Sequence, residues 1–526
     1  MDRLEIQTSG KPTEATTKNA DVEMSTVLTE HSGTIESINP YGAQLRQPLQ
    51  KNFSIISLSG IGLVVGNVWP ALAGSLATSI FNGGPSGAIY EFFAASLCYF
   101  AVAAVIAELA SSLPSSAGVH LWASVMSGPK YGRLVGYLAG YWNCFAWIFA
   151  AASVSAIASN LCLEIHAYLH PEFEVKRWHT LLGYLLLNWV ACGLVTMANK
   201  AVPRLNIVGL LVLLIGGIAT IVVCAAMLDT NAASAKHQSV WASWEAHIGY
   251  PDGFVFVAGM LNGAFAMGTP DATTHLAEEI PNPEINVPKA IASQYLLGFV
   301  SAFAYLITIL YSITDYDALL SASFPIAEIY SQATRRSDAG TTVLMVLILL
   351  SMILCTISLH ITFGRTLWTL ARVNATPFPK TLGRVSTSKH MPVAATVTGT
   401  VVVSLIGIIY LFSSSAFNSF VASFILLSSS SYIAVAVPYL AQRSSKKVEP
   451  GPFFIKGVFG YAVHFLACAY MVVWFVIYCF PYSLPTDAVS MNYTSLIWGG
   501  ITIFAGVWWV FDARKRCVWP ARITDD

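Results

Sequence analysis

The sequence predicts an all-α membrane protein with about twelve transmembrane helices, arranged as two inverted sets of five plus two further helices. Three observations carry this expectation. The 526-residue chain is 55% hydrophobic and 11% charged, less than half the charged fraction usual in a soluble domain. Its apolar residues gather into runs of about 20 or more, the length an α-helix needs to cross a hydrocarbon core of about 30 Å. Two of these runs, the first and the sixth, are interrupted near their middle by glycine, a polar residue and proline.

The runs lie near 54–81, 87–113, 132–162, 178–198, 204–228, 253–280, 288–313, 340–370, 392–412, 416–441, 455–480 and 492–512. They do not alternate apolar and polar residues, which excludes a membrane β-barrel. Residues 1–50 are rich in Thr, Ser and Glu without an apolar run and read as a disordered cytosolic tail, not a signal peptide. The transmembrane domain then spans 51–512, with repeats at about 54–228 and 253–441, extra helices in 455–512 and a short tail at 513–526.

Basic residues concentrate in cytosolic loops. With a cytosolic N-terminus only Lys176, Arg177, Lys236, Arg335 and Arg336 fall outside, which leaves 23 of 28 inside. Both termini are therefore placed in the cytosol and the plasma membrane is the expected location. On this reading no Lys or Arg sits deep in an apolar run. Of the glycosylation sequons, only the one at Asn492 would face outward.

Several function classes drop out. Formal net charge is zero, so nucleic acid is not an expected partner. The nine cysteines are scattered without a CxxC pair, which indicates neither a metal site nor a disulfide framework. No HExxH, GxSxG or phosphate-binding loop occurs, so the chain does not read as an enzyme or an ATP-driven pump and calls for no cofactor. The bilayer itself is the obligatory partner.

The interruptions carry the functional reading. Gly268-Thr269-Pro270-Asp271 follows the apolar stretch through Phe265 and Met267. Proline removes a backbone donor, and glycine permits the dihedrals of a break. An acid at mid-membrane costs roughly 2.5–3.5 kcal/mol on the insertion scale. Loose backbone is tolerated in lipid only where it is buried or lines a cavity. The combination predicts a binding site; a simple proline kink with a satisfied Asp is the bland alternative. Gly66-Asn67-Val68-Trp69-Pro70-Ala71 repeats the pattern in the first run, and Ser59-Gly60-Ile61-Gly62 is a second candidate break there. Breaks five helices apart point to inverted repeats with substrate held between them. Asp271 is placed to cap the second half of the sixth helix, to meet a substrate amine or to carry a proton. His275 and Glu278 or Glu279 follow it at helical spacing, as a proton path or as the helix's cytosolic end.

These residues resemble the amino acid–polyamine–organocation superfamily, and within it the fungal amino acid/choline transporter group. The resemblance covers about 50–485. It rests on Gly66-Asn67-x-Trp69-Pro70 with Asn82-Gly83-Gly84-Pro85, on Ile106–Ser111 with Pro114–Gly118, on Asp271-x3-His275-Leu276-x-Glu278-Glu279 with Asn282-Pro283-x2-Asn286-x-Pro288, and on Phe324-Pro325-Ile326-x-Glu328-Ile329-Tyr330. It implies a carrier of small amines or amino acids, such as choline or 4-aminobutyrate, working by alternating access. It implies that Asp271 lies beside the substrate, that Phe265 and Met267 line the sixth-helix side, and that Asn67 to Ala71 form the unwound first helix. The sequence departs from the pattern at Ala371-Arg372-Val373-Asn374, which lacks an acid, and in 205–228, which lacks the lysine of some proton-coupled relatives.

A cationic substrate favours aromatic faces, and Trp69, Tyr141, Trp142, Trp147 and Phe265 are the candidates. Asp271, His275 and Glu108 are candidate proton carriers. Sodium is the less favoured ion, with Thr356 and Ser358 as its candidate ligands. The loop 113–131 lacks the basic signature of the major facilitators. A non-transporting nutrient sensor, or a carrier of a specialised amine-containing metabolite, is the alternative.

Overall fold

The computed structural model describes residues 54–228, 237–322, 324–409, 416–443, 448–488 and 490–517. The expected tail 1–50, Asn52, Lys236 and residues 518–526 lie outside the described residues. The described chain is helical. Its first span is split into α1 (Ile55–Gly66) and α2 (Val68–Gly74). Then come α3 (Leu76–Ser112), the short α4 (Val119–Met126), α5 (Gly128–Leu169), α6 (Arg177–Met197) and α7 (Val202–Ala226). The second set comprises α8 (Asp252–Met267), α9 (Pro283–Ser312), the short α10 (Tyr316–Ser321) and α11 (Pro325–Ala333), α12 (Asp338–Arg372), α13 (Pro379–Leu382), α14 (Val393–Ile409) and α15 (Ala416–Gln442). Finally, α16 (Gly457–Ile477) and α17 (Thr494–Trp508) close the chain. Ten of the described helices are long and apolar enough to cross a membrane, and α8 and α14 are shorter apolar helices.

The packing carries the internal symmetry. Counting spans in chain order, span two (α3) packs on span six (α8), and span seven (α9) on span one. Span three (α5) packs on span ten (α15), and span eight (α12) on span five (α7). Spans three and four pair as spans eight and nine do. Exchanging the two sets of five maps each of these contacts onto another, as inverted repeats require. Spans eleven and twelve pack outside, against α3, α5 and α15.

The first break falls at Asn67, with φ 44° and ψ 40°. Asparagine is one of the few residues with a Cβ that visits this left-handed region. The turn restarts the helix at Val68, so Pro70 lies in the first turn of α2, where no intrahelical donor is needed. Ser59-Gly60-Ile61-Gly62 does not break the span: it lies inside continuous α1. Its glycines serve packing instead, since a Cβ on Gly62 would lie 2.9 Å from Gln294 Oε1.

The second break begins after Met267, but its form differs from the expectation. Gly268 has φ −77° and ψ 13°, which any residue adopts. Its glycine is required by space, because a Cβ would lie 2.7 Å from Ile425. The chain then passes through turns into a 3-10 helix, Thr274–Glu279, rather than a second α-helix half. Span seven satisfies the opened backbone. Gln294 donates to Thr269 O (3.1 Å) and Thr269 Oγ1 (2.8 Å), and Tyr295 Oη donates to Met267 O (2.5 Å). Loose backbone is therefore paired by a neighbour rather than left to lipid.

Two expectations about charge need correction. Arg365 is buried inside α12, against the expectation that no Lys or Arg sits deep in an apolar run, and Arg372 ends the same helix. The last span continues past 512 through a π turn at Trp509–Ala513 into Arg514–Arg516, so those basic residues are helical. Asn492 is buried and donates to Tyr478 O (2.7 Å) and Phe480 O (2.9 Å), which leaves its amide engaged in the fold.

Glu108 locks the end of α3. Arg443, just beyond α15, donates to it at 2.5 Å, Tyr439 Oη at 2.6 Å and Ile455 N at 3.2 Å. Removing one partner of a buried pair strands the other charge. Arg443→Ala should lower stability by about 3–5 kcal/mol, read as a drop in the unfolding temperature of the purified protein in detergent.

Candidate functional site

Asp271 sits in the turns after the second break and is 0% exposed. It does not cap a helix through its side chain, as the sequence had allowed; its carboxylate is instead enclosed by donors. Tyr432 Oη of α15 donates to Oδ1 at 2.5 Å, and Asn143 Nδ2 of α5 donates to Oδ2 at 2.7 Å. Trp147 Nε1 of α5 reaches Oδ2 at 3.4 Å, and His275 Nε2 lies 3.1 Å from the same oxygen. Hydrogen bonds to an ionised acceptor are the strong ones, so this cradle suits a buried carboxylate.

The Asp271–His275 contact can hold a proton in two ways. Trp147 Nε1, a donor only, also lies 3.1 Å from His275 Nε2. If Nε2 carries hydrogen, it donates to an ionised Asp271 and the indole N–H turns to the carboxylate. If Nε2 is bare, its single lone pair accepts either from Trp147 or from a protonated Asp271. On its far side His275 Nδ1 faces Ser116 O at 3.4 Å and Thr366 Oγ1 at 3.5 Å.

Below the pair, the two glutamates are held by α12. Glu279 accepts from Arg365 at 2.5 Å and 3.0 Å, and Glu278 accepts from Arg372 at 3.2 Å. Their partners lie on a transmembrane helix, not in basic loops. Glu108 belongs to the separate Arg443 cluster described above.

The other break faces the same region through Gln294, which sits against Gly62 and Gly66 of α1 while bonding Thr269. Asn67 Nδ2 contacts Met352 S at 3.3 Å, and its Oδ1 is buried without a partner among the described residues. Gln294 Oε1 and Thr273 Oγ1 are likewise unpartnered. Pro70 and Ala71 are buried in α2.

The expected aromatics divide. Trp69 turns away from Asp271: its Nε1 donates to Leu213 O of α7 (3.0 Å) and its ring lies 5.1 Å from Tyr305. Tyr141 donates to Ala375 O (3.1 Å), and Trp142 donates to Thr502 Oγ1 (2.9 Å) and stacks on Trp498 of α17. Trp147 faces the carboxylate. Phe424 of α15 bridges Trp147 and Phe265, with centroids 6.1 Å from each. Asn143, Tyr432, Phe424 and Gln294 were not among the expected residues. The signal for Asn143 was present: it lies four residues before Trp147, hence on the same helical face, whereas Trp142 points about 100° away. Tyr432 sits in a serine-rich stretch whose periodicity gives no facing.

Thr356 and Ser358 donate to carbonyls of their own helix at 2.9 and 3.1 Å, and Ser358 also reaches Asn206 Oδ1 at 2.8 Å. Among the described residues no group of three or more His, Cys, Asp or Glu side chains gathers to hold a metal ion.

A multi-pass helical bundle with two broken spans, packed as two interchangeable sets around a buried acid, is a membrane carrier. The chain matches the amino acid permease family over residues 54–502 and belongs to it. It is 29% identical over 471 residues to a choline transporter of Saccharomyces cerevisiae, covering 89% of this chain and 82% of that one. It is 26% identical over 506 residues to a 7-keto 8-aminopelargonic acid transporter of the same yeast, covering 85% and 90%. It is also 26% identical over 478 residues to a swainsonine transporter of Arthroderma benhamiae, covering 89% and 92%. The protein is thus an integral membrane transporter of small amine or amino acid substrates, not an enzyme.

Tyr432→Phe deletes a donor to a buried carboxylate, so stability should fall by about 1.5–3 kcal/mol. In an Asp271→Asn background the loss should shrink to about 0.5–1.5 kcal/mol, the value for a neutral pair. Thermal unfolding of the four purified proteins closes this cycle.

Proposed function

We propose that this transporter carries a small amine or amino acid bearing an ammonium group, with choline as the first candidate and 4-aminobutyrate the second, by proton-coupled alternating access between the broken spans. The observation that supports this best is Asp271, a fully buried acid at the second break, beside Trp147, Phe265, Phe424 and Tyr432. An ammonium exchanged for the present donors would meet the carboxylate, and the aromatic faces would contact its alkyl groups and charge. The relative named as a choline transporter favours the same chemistry.

In this reading the Asp271–His275 pair holds the coupling proton. A cation meets the Asp271 carboxylate while the proton is held at the pair, so that cation and proton cross together, as gradient-driven uptake requires. The Glu279–Arg365 and Glu278–Arg372 pairs close the cytosolic side and part when that side opens. The bundle lies in the plasma membrane with both termini in the cytosol, the orientation that the distribution of basic residues supports.

Uptake of labelled choline into permease-deficient yeast expressing the chain tests this proposal, with unlabelled 4-aminobutyrate, basic amino acids and polyamines as competitors. Saturable uptake that an uncoupler abolishes is the expected result. Uptake of another amine alone would change the substrate and leave the site standing. Asp271→Asn should abolish uptake while the protein still reaches the membrane; normal uptake by that variant would sink the assignment. Trp147→Leu should raise the half-saturating concentration about tenfold, equivalent to about 1.4 kcal/mol, whereas Trp142→Leu should change it less than about twofold.

A further inference from the structure

Outside the Asp271 site the bundle buries a second acid that nothing in the site uses. Glu91 lies on α3 and is 1% exposed. Both its carboxyl oxygens are without a hydrogen-bond partner among the described residues. Its surroundings are shaped to it. Gly259 of α8 sits directly against it: a Cβ there would lie 2.1 Å from the carboxyl group. On its other side, a Cβ on Gly87 would lie 3.5 Å from Glu91 Oε1 and 3.4 Å from the Trp244 ring. That half-buried indole roofs the carboxyl and is tied to Asp252 Oδ1 at 3.0 Å.

The ionisable groups around it are few. Tyr478, beyond α16, is within electrostatic reach of Glu91. Its hydroxyl lies 3.3 Å from that of Tyr470, whose ring packs at 5.5 Å on Tyr99 of α3. Asp252 accepts from Trp244, Glu245 and His247 lie beside the start of α3 through backbone bonds to Gly83 O and Phe81 O, and Cys98 is the next Asp, Glu, His, Cys, Lys or Arg along α3. Among the described residues no Lys, Arg or His forms an ion pair with Glu91. A cavity of about 420 Å³, lined in part by Phe81, Ala258, Leu261 and Tyr478, adjoins this region at the end of the bundle where α3 begins.

An ionised carboxylate without a donor is among the most costly groups to bury. Gly259 can therefore seat on Glu91 only while the carboxyl is neutral. If α8 lifts from α3, the carboxyl meets water through the cavity and can ionise. Closure and proton binding at Glu91 are then one linked equilibrium.

We propose that Glu91 is a proton-binding site of this transporter, loaded from the end of the bundle that holds the cavity near Phe81 and Ala258 and required for α8 to close against α3. The step is simple: one carboxylate oxygen takes a proton from hydronium on the cavity side in one state of the carrier and releases it to water on the opposite side in the other, so one proton crosses with the substrate in each cycle. This inference rests on the proton-coupled reading above and adds to it a group separate from Asp271 and His275. A small cation is a poorer ligand there, because among the described residues no group of three or more His, Cys, Asp or Glu side chains gathers at Glu91.

The test uses the full chain in liposomes with the membrane potential clamped at zero and an imposed pH gradient. Labelled choline and labelled 4-aminobutyrate are the probes, and substrate exchange without a gradient is measured in parallel. Wild type should accumulate a probe. Glu91→Gln, which mimics the neutral acid, should let it only equilibrate, to a concentration ratio of about one, while exchange stays within about twofold of wild type. The infrared carbonyl band of a protonated acid, recorded without substrate, should lose one component in the variant. If Glu91→Gln does not fold, Glu91→Asp should keep gradient-driven accumulation, and its loss there would count against the proposal. Accumulation by Glu91→Gln equal to wild type overturns the role of Glu91 and leaves proton coupling standing. An unchanged infrared band overturns it too. If the gradient drives neither probe in wild type, while exchange shows that one is carried, proton coupling itself fails and takes this role with it.

Discussion

Everything in this bundle is arranged around a carboxylate that lipid cannot host. Asp271 places a carboxyl group in the middle of an apolar core, with no arginine paired to it among the described residues. The structure answers with Tyr432, Asn143, Trp147 and His275 from three different segments. Those segments must stay in register for the acid to remain satisfied. A ligand or proton that alters the acid's charge thereby alters what holds spans three, six and ten together. This is the physical link between binding and movement that a carrier needs.

The backbone obeys the same rule. Each break opens groups that the helix had paired, and each is repaired locally. Asn67 turns into the left-handed region without losing the helix on either side, and Gln294 and Tyr295 of span seven take the carbonyls freed after Met267. Span seven thus joins the two breaks: Gln294 touches Gly62 and Gly66 on one side and Thr269 on the other. Away from the centre, ion pairs fasten the ends, with Glu108–Arg443 on one side of the repeat and Glu279–Arg365 on the other.

Much of this was legible in the sequence. Span lengths and the placing of Gly, Asn, Pro and Asp revealed the class, the two breaks and the buried acid, because bilayer thickness and backbone pairing leave few options. Direction was not legible. An all-apolar helix has no periodicity to say which face looks inward, so Trp69, Tyr141 and Trp142 read as well as Trp147, yet only Trp147 turns to Asp271. Arg365 read as lying near the end of its span because an unpaired charge is costly in lipid, whereas a buried partner such as Glu279 lets the helix run on past it. The short 3-10 segment after the second break was invisible for another reason: its form depends on span seven and α15 packing against it, not on its own residues.

The central claim is that substrate binds where the breaks meet, at Asp271. A cryo-electron-microscopy structure of the full chain in lipid, determined with and without saturating choline, tests it most directly. The account predicts added density between Asn67 and Asp271, in contact with Trp147 and Phe424, with the Tyr432 or Asn143 bond to the carboxylate displaced. Density confined to the cavity near Phe81 and Tyr478, with the Asp271 cradle unchanged, would contradict it.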